Sequence, residues 1–272
     1  MQVSGTESLA METRVSLTVA NEGEDIVFRA ELPRLYELRD CIAAPASSDA
    51  YFRDFDQNLA RSAHVKDVYL RQERVLQGLD DQAWEHLKGE ALPRLTAHDK
   101  RGRGWQQLFD ILNEARAYNY LKSLGCTNLH YIPRSQEKTP DLEGSLALDR
   151  VLCEVKTINI SDQEIAFRTY PFKARSFPTS VTDGFLKKLR ATVETAKLQL
   201  MAFDRGRAAV HFVYLNICFD DFLAEIKEAY FKQIDDDLAK TQVTGIRLVI
   251  GNDHTPFYKP LEMRFADVDN IG

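Results

Sequence analysis

The sequence has no CxxC pair, since its cysteines, Cys41, Cys126, Cys153 and Cys218, lie far apart. That spacing argues against a zinc finger or a disulfide framework and suits a reducing, cytoplasmic setting. No run approaches the roughly 18 uninterrupted apolar residues of a membrane span, so no membrane partner is expected. Gln2, Glu7 and Glu12 interrupt any basic-then-apolar signal pattern. The histidines show neither HxH nor HExxH spacing, so none is assigned to a metal. A GxxxxGK[ST] loop, a GxGxxG turn after a strand and a GxSxG elbow are missing too, which removes three common enzyme readings. There is no internal repeat and no low-complexity tract.

What is present is an ordinary globular composition. The 272 residues are 44% hydrophobic and 28% charged, enough for one large domain or a domain with an extension. The net charge of -6 is unevenly spread. Residues 100–207 hold 18 of the 35 basic and 12 of the 41 acidic residues, so the remainder is strongly acidic. A central basic excess suits contact with a polyanion.

The first hundred residues read as mixed and mostly helical. Val15–Val19 and Ile26–Ala30 suit a strand pair around Asn21-Glu22-Gly23. Leu35–Ile42, Tyr51–Ala60 and Asp67–Leu87 read as helices. Pro93 and the polar run Thr96–Gly104 mark a boundary, dividing the chain into 1–98 and 99–272. Beyond it, helix and strand alternate. Trp105–Leu124 is helical with an apolar sector of Trp105, Leu108, Phe109, Leu112 and Ala115, and Gly125 stops it. Strands follow at Asn128–Ile132, Pro140–Leu146 and Arg150–Thr157. A long loop, Asn159–Thr182, leads to the helix Asp183–Phe203. Strand Ala208–Ile217, helix Asp220–Ala239 and strand Ile246–Ile250 complete the order. That order predicts an α/β fold, a mixed central sheet flanked by helices, with a mostly helical N-terminal extension.

The chemistry-bearing residues sit on the two middle strands. Side chains alternate along a strand, so Asp141 and Glu143 share one face, as do Glu154 and Lys156. A hairpin turning at Leu148-Asp149 sets Asp141 opposite Lys156 and Glu143 opposite Glu154. Opposed carboxylates repel. A divalent cation relieves that conflict, and Mg²⁺ favours carboxylate oxygens. Such an arrangement suits phosphodiester hydrolysis, with the lysine neutralising developing charge or orienting water. The blander alternatives are a solvated, salt-bridging face for Glu154 and Lys156 and a mere strand start at Asp141. Glu143 could extend the metal site or only the acidic surface.

Pro140-Asp141, a spacer of 12 residues and then Glu154-Val155-Lys156 resembles the PD-(D/E)XK signature of restriction-endonuclease-like nucleases. The resemblance covers roughly Trp105–Ile217. The helix around Glu114 is similar to that family's first core helix, which often carries an acid reaching the site. Lys197 and Gln199 lie on the later helix, where some members place a Lys or Gln. The resemblance implies a restriction-endonuclease-like fold and a Mg²⁺-dependent nuclease, with Mn²⁺ able to substitute. Asp141, Glu154 and the Val155 carbonyl would hold the metal, and Lys156 would be the catalytic cation. Glu114 and Gln199 would be auxiliaries, with 5′-phosphate and 3′-hydroxyl products.

DNA is the expected substrate, although RNA stays open, as does a homodimer. Lys100-Arg101-Gly102-Arg103-Gly104-Trp105 offers Arg101 and Arg103 to phosphate, with glycines that permit close approach; a solvated linker is the alternative. Arg168, Tyr170, Lys173 and Arg175 interleave charge and aromatic rings in a long loop. Lys187 and Lys188 open the next helix and extend that surface. The competing reading of the whole chain is a nuclease-like module that binds nucleic acid or protein without hydrolysis.

Overall fold

The computed structural model describes residues 28–44, 47, 50–97, 105–135, 138–158, 180–217, 227–241, 244–252 and 261–263. It divides into two compact units, Met1–Gly78 with Leu92–His98, and Leu79–Ala91 with Asp99–Gly272.

The described part of the first unit is helical: α1 (Pro33–Asp40), α2 (Phe55–Arg61) and α3 (Ala63–Gln77). Pro33 opens α1, where a missing N–H costs nothing. The open N–H groups of Arg34 and Leu35 are taken by the Glu73 carboxylate of α3, at 3.1 and 2.9 Å. That job explains a glutamate only 1% exposed. Phe55 stacks edge-on against Tyr36, Phe52 and Tyr69, with ring centroids 4.8–5.3 Å apart. Residues 28–31 are helical rather than extended, which corrects the strand expected over Ile26–Ala30. Phe28, Leu32, Leu35 and Tyr36 recur at helical spacing and are all buried, and that periodicity prevails. Val15–Val19 lies outside the described residues.

The helix expected over Asp67–Leu87 is two helices. It breaks at Gly78, and Asp80 restarts it by accepting the Ala83 N–H at 2.9 Å. The second piece, α4 (Asp81–Ala91), belongs to the second unit. His86 stacks on Tyr131 at 5.0 Å, and Asp80 accepts the Tyr118 hydroxyl.

That second unit continues with α5 (Gln106–Ser123), β1 (Thr127–Tyr131), β2 (Leu142–Leu146), β3 (Asp149–Ile158), α6 (Asp183–Asp204), β4 (Val210–Ile217), α7 (Lys227–Lys240), β5 (Arg247–Asn252) and β6 (Leu261–Met263). Gly125, at φ 89, ends α5 as anticipated. Phe109 of α5, expected in its apolar sector, is instead 41% exposed. The six strands form one mixed sheet in sequence order, with β3, β4 and β5 parallel and the other pairings antiparallel. Two crossovers in the same direction, each favouring the right hand, place α6 and α7 on one face. Leu189, Val193, Ala196 and Leu200 of α6 and Ile234 and Leu238 of α7 meet Leu152, Val213, Leu215 and Ile250 there. Helix α5 covers the other face, where Tyr120 meets Phe212 and Tyr214. The central strand β4 is buried along Phe212–Ile217, as a doubly covered parallel strand should be. Among the described residues no helix is long and apolar enough to cross a membrane.

Candidate active site

The β2–β3 hairpin closes on Leu146↔Asp149, with Ala147 at φ 54 and Leu148 fully exposed at the tip. The register is therefore two residues away from the expected one. Leu142 pairs with Cys153 and Glu143 with Leu152, and one step beyond the ladder Asp141 comes beside Glu154 rather than Lys156. An even slip leaves every side chain on its expected face. It changes only which residues are neighbours. The two-residue turn is the physical reason, since it fixes the closing pair and with it every pair above.

Asp141 sits just before β2 and is tied to β3 by its backbone N–H, which donates to the Cys153 carbonyl at 3.0 Å. Its Oδ2 accepts the Val155 N–H at 2.7 Å, which locks the carboxylate against β3. Glu154 is 1% exposed and has one partner for each oxygen. The Lys156 ammonium contacts Oε1, and Gln199 Nε2 of α6 donates to Oε2 at 2.8 Å. Gln199 also donates to the Thr139 carbonyl at 2.7 Å, fastening α6 to the segment entering β2. Glu114 comes from α5, is 7% exposed, and accepts from Arg134 Nη2 at 2.7 Å.

These groups share one cavity of about 460 Å³. Asp141, Glu154, Val155, Lys156, Glu114 and Gln199, all six singled out from the sequence, line it together with Arg134, Lys138, Asp110 and Thr157. Two helices and a hairpin, far apart in sequence, thus converge on one space.

The electrostatics are those of crowded, poorly hydrated acids. Burial, and then Asp141, push the Glu154 carboxyl up to about 8, against the pull of Lys156 and Gln199. Burial, and then Asp141, also raise Glu114 well above the usual carboxylate range, with Arg134 opposing. Asp141 is raised by burial, and the Val155 N–H, Lys156 and Arg134 hold it back. Burial makes each acid resist ionising, and the Asp141 charge adds to that resistance at Glu154 and Glu114. A cation between them would reverse that preference.

Among the described residues no three His, Cys, Asp or Glu gather into a ready-made metal cluster. Mg²⁺ is commonly held by one or two carboxylates with waters completing its shell, so the pair Asp141 and Glu154 is a sufficient protein contribution. The donor chemistry fits: hard oxygens, a shared cavity, and carboxylates that lack enough positive charge of their own.

Other expected residues fare differently. Glu143 leaves the site and binds Arg150 at 2.7 Å, so it belongs to a surface ion network. Lys187 and Lys188 are exposed on the first turns of α6. They lie about 17 Å along the helix from Gln199 at 1.5 Å per residue, and neither lines the cavity. Lys197 does not line it either. Arg101, Arg103, Arg168, Tyr170, Lys173 and Arg175 lie outside the described residues. Sequence reading missed Arg134, which follows Pro133 in a loop and bridges Glu114 and Glu90 at 2.7 and 3.5 Å. No periodicity marks a loop arginine, and its partners are 20 and 44 positions away in the chain.

No protein-family model matches the chain, and no curated protein or solved structure shows significant similarity to it.

Proposed function

We propose that the chain is a Mg²⁺-dependent nuclease of the PD-(D/E)XK, restriction-endonuclease-like kind, hydrolysing phosphodiester bonds in nucleic acid, with DNA as the favoured substrate. The observation carrying this reading is that Asp141, Glu154, Lys156, Glu114 and Gln199 line one cavity although they come from a helix, a hairpin and a second helix.

Asp141 and Glu154, with the Val155 carbonyl, would hold the metal; Mn²⁺ is an alternative occupant of the same oxygen set. When bound, a divalent cation supplies Lewis acidity toward the phosphate and the attacking water. The chain's own residues do the rest. Lys156 is held beside Glu154 and presents N–H donors to a non-bridging phosphate oxygen, where negative charge grows. Gln199 fixes the Glu154 carboxylate by its bond to Oε2. Val155 N–H fixes Asp141 by its bond to Oδ2. Arg134 occupies Oε1 of Glu114, which leaves Oε2 to accept a hydrogen bond or a proton from water in the cavity.

The test is incubation with linear, circular, single-stranded and structured DNA and RNA in Mg²⁺ or Mn²⁺, beside Lys156→Ala. Wild type should cleave, and the variant should be slower by about 10²–10³-fold, the usual loss for one transition-state donor. Cleavage undiminished in the variant rejects the site. No cleavage of any substrate, with binding retained, moves the reading to a nuclease-like binding module.

A further inference from the structure

Beside the carboxylate site lies a second cavity of about 380 Å³. The two share a wall, because Lys138 lines both. Arg150, Ala202, Phe203, Arg205 and Arg207 complete its described lining. Four of these six residues are cations, and among the described residues none is a carboxylate. The first cavity is mixed, with four acids, Asp110, Glu114, Asp141 and Glu154, beside three cations, Arg134, Lys138 and Lys156.

The fold builds this basic cavity deliberately. Helix α6 ends at Asp204, whose carboxylate is almost wholly buried and is used three times. Oδ1 accepts from Arg150 at 3.2 Å, while Oδ2 accepts the Ala209 N–H at 3.1 Å and stands 3.2 Å from His211 Nε2. The Asp204 carbonyl takes the Arg207 N–H at 3.1 Å. These bonds force a tight turn in which Arg205 at φ 49 and Ala208 at φ 57 both occupy the left-handed region, with Gly206 at φ 78 between them. Two non-glycine residues there are a local cost that the surrounding bonds sustain. The result sets Arg205 and Arg207 on the cavity wall. Arg150 is held opposite Phe203, its guanidinium 5.7 Å from the ring centroid, and is anchored by Glu143 and Asp204.

Gathering cations around a small space is unfavourable by itself and suits an anionic ligand. A ligand that spans both cavities past the shared Lys138 is suited if it carries negative groups repeated along its length. A sugar–phosphate strand does so, and arginine is the side chain best shaped for its oxygens. Phe203 adds an apolar surface for a sugar or base.

We infer that this basic cavity grips a backbone phosphate of the nucleic-acid strand whose bond is hydrolysed at the neighbouring carboxylates, and so sets how the strand lies across them. The inference rests on the nuclease reading for its ligand. Binding without cleavage tests it separately.

The experiment compares wild type, Arg205→Ala/Arg207→Ala and Arg205→Lys/Arg207→Lys, all full-length, with circular dichroism and melting curves to verify folding. Fluorescence anisotropy with labelled single- and double-stranded DNA is read in EDTA across 50–200 mM salt. Each phosphate contact contributes about 0.9 to the slope of log affinity against log salt on duplex DNA. The alanine pair, which loses the one phosphate contact, should therefore lower the slope by about 1 and weaken binding about tenfold or more at the lowest salt, irrespective of sequence. The lysine pair should keep most of the slope. An unchanged slope in the alanine pair, an equal loss in the lysine pair, or no binding by the wild type overturns the phosphate grip. If wild type cleaves nothing while the slope difference stands, the hydrolytic reading falls and the grip survives. If cleavage stands and the slope does not move, the grip falls alone.

Discussion

Gln199 Nε2 donates to Glu154 Oε2 at 2.8 Å, joining the C-terminal part of one helix to the middle of one strand 45 residues away. The bond makes Gln199 a positioning residue. Without it, Glu154 keeps only Lys156 and can turn within the cavity. Gln199→Ala should lower kcat by about 10–100-fold, the loss expected from misplacing a reacting group, with a smaller effect on KM. It should also lower Tm by roughly 2–10 °C, because a buried acceptor left unpaired costs about 1–3 kcal/mol. Gln199→Lys, which restores a donor, should recover part of the rate. An unaltered kcat in the alanine variant would show that Glu154 needs no such anchor.

Asp141, Glu154 and Glu114 line one cavity, where burial raises each carboxyl above its ordinary value. Asp141 raises the proton affinity of both Glu154 and Glu114. Asp141→Asn keeps an acceptor for Val155 N–H but removes a charge. It should melt at the same or a higher temperature than wild type in EDTA. Wild type should gain about 2.7 kcal/mol at a metal concentration 100 times its Kd, and Asp141→Asn should gain little. Calorimetry with and without Mg²⁺ decides; an equal gain in both proteins would place the metal elsewhere.

Asp80 links α4 to α5 by accepting the Tyr118 hydroxyl. That hydroxyl, and then the Ala83 N–H, hold the Asp80 carboxyl below its ordinary value of 3.8. A carboxyl depressed on folding stabilises the protein above its unfolded value and stops doing so as acid protonates it. Asp80→Asn should therefore melt a few degrees below wild type at pH 7, with the gap closing as pH falls below 3.8. A gap independent of pH would assign the effect to packing. Because Asp80 is exposed, solvent screening keeps the difference small.

Gly251 on β5 passes beneath Tyr214 on β4. A Cβ there would lie 2.6 Å from the Tyr214 hydroxyl oxygen and 2.9 Å from two ring carbons. Tyr214 is 4% exposed and also meets Tyr120 of α5, so its ring has little room to yield. Gly251→Ala should cost about 1–3 kcal/mol by overpacking, and roughly 2–10 °C in Tm. Neither residue lines the carboxylate cavity, so kcat measured well below the melting point should stay near wild type. A large loss of rate would tie this face of the sheet to catalysis.

The alternation of Asp141 with Glu143, and of Glu154 with Lys156, could be read from the chain because strand period is a property of the backbone alone. The pairing between the strands could not. It follows from which two residues form the turn, and Ala147-Leu148 closes the hairpin where Leu148-Asp149 was expected. A similar limit applies to Asp67–Leu87, whose apolar rhythm continues through Gly78. Only the capping bond from Ala83 to Asp80 shows that a new helix begins. Glu114 and Gln199 could be nominated only through the resemblance to a family, yet their arrival at one cavity depends on how α5 and α6 pack on the sheet.

By itself the sequence determined the alternation of helix and strand and the acids and lysine on one hairpin face. These depend on local periodicity, which each residue carries with it. Only tertiary structure decided that Asp141 neighbours Glu154, that Glu143 turns away to Arg150, and that Arg134, Lys138 and the turn at Arg205 surround the site. Those relations join residues far apart along the chain, and their energies exist only after the sheet and helices have closed on one another.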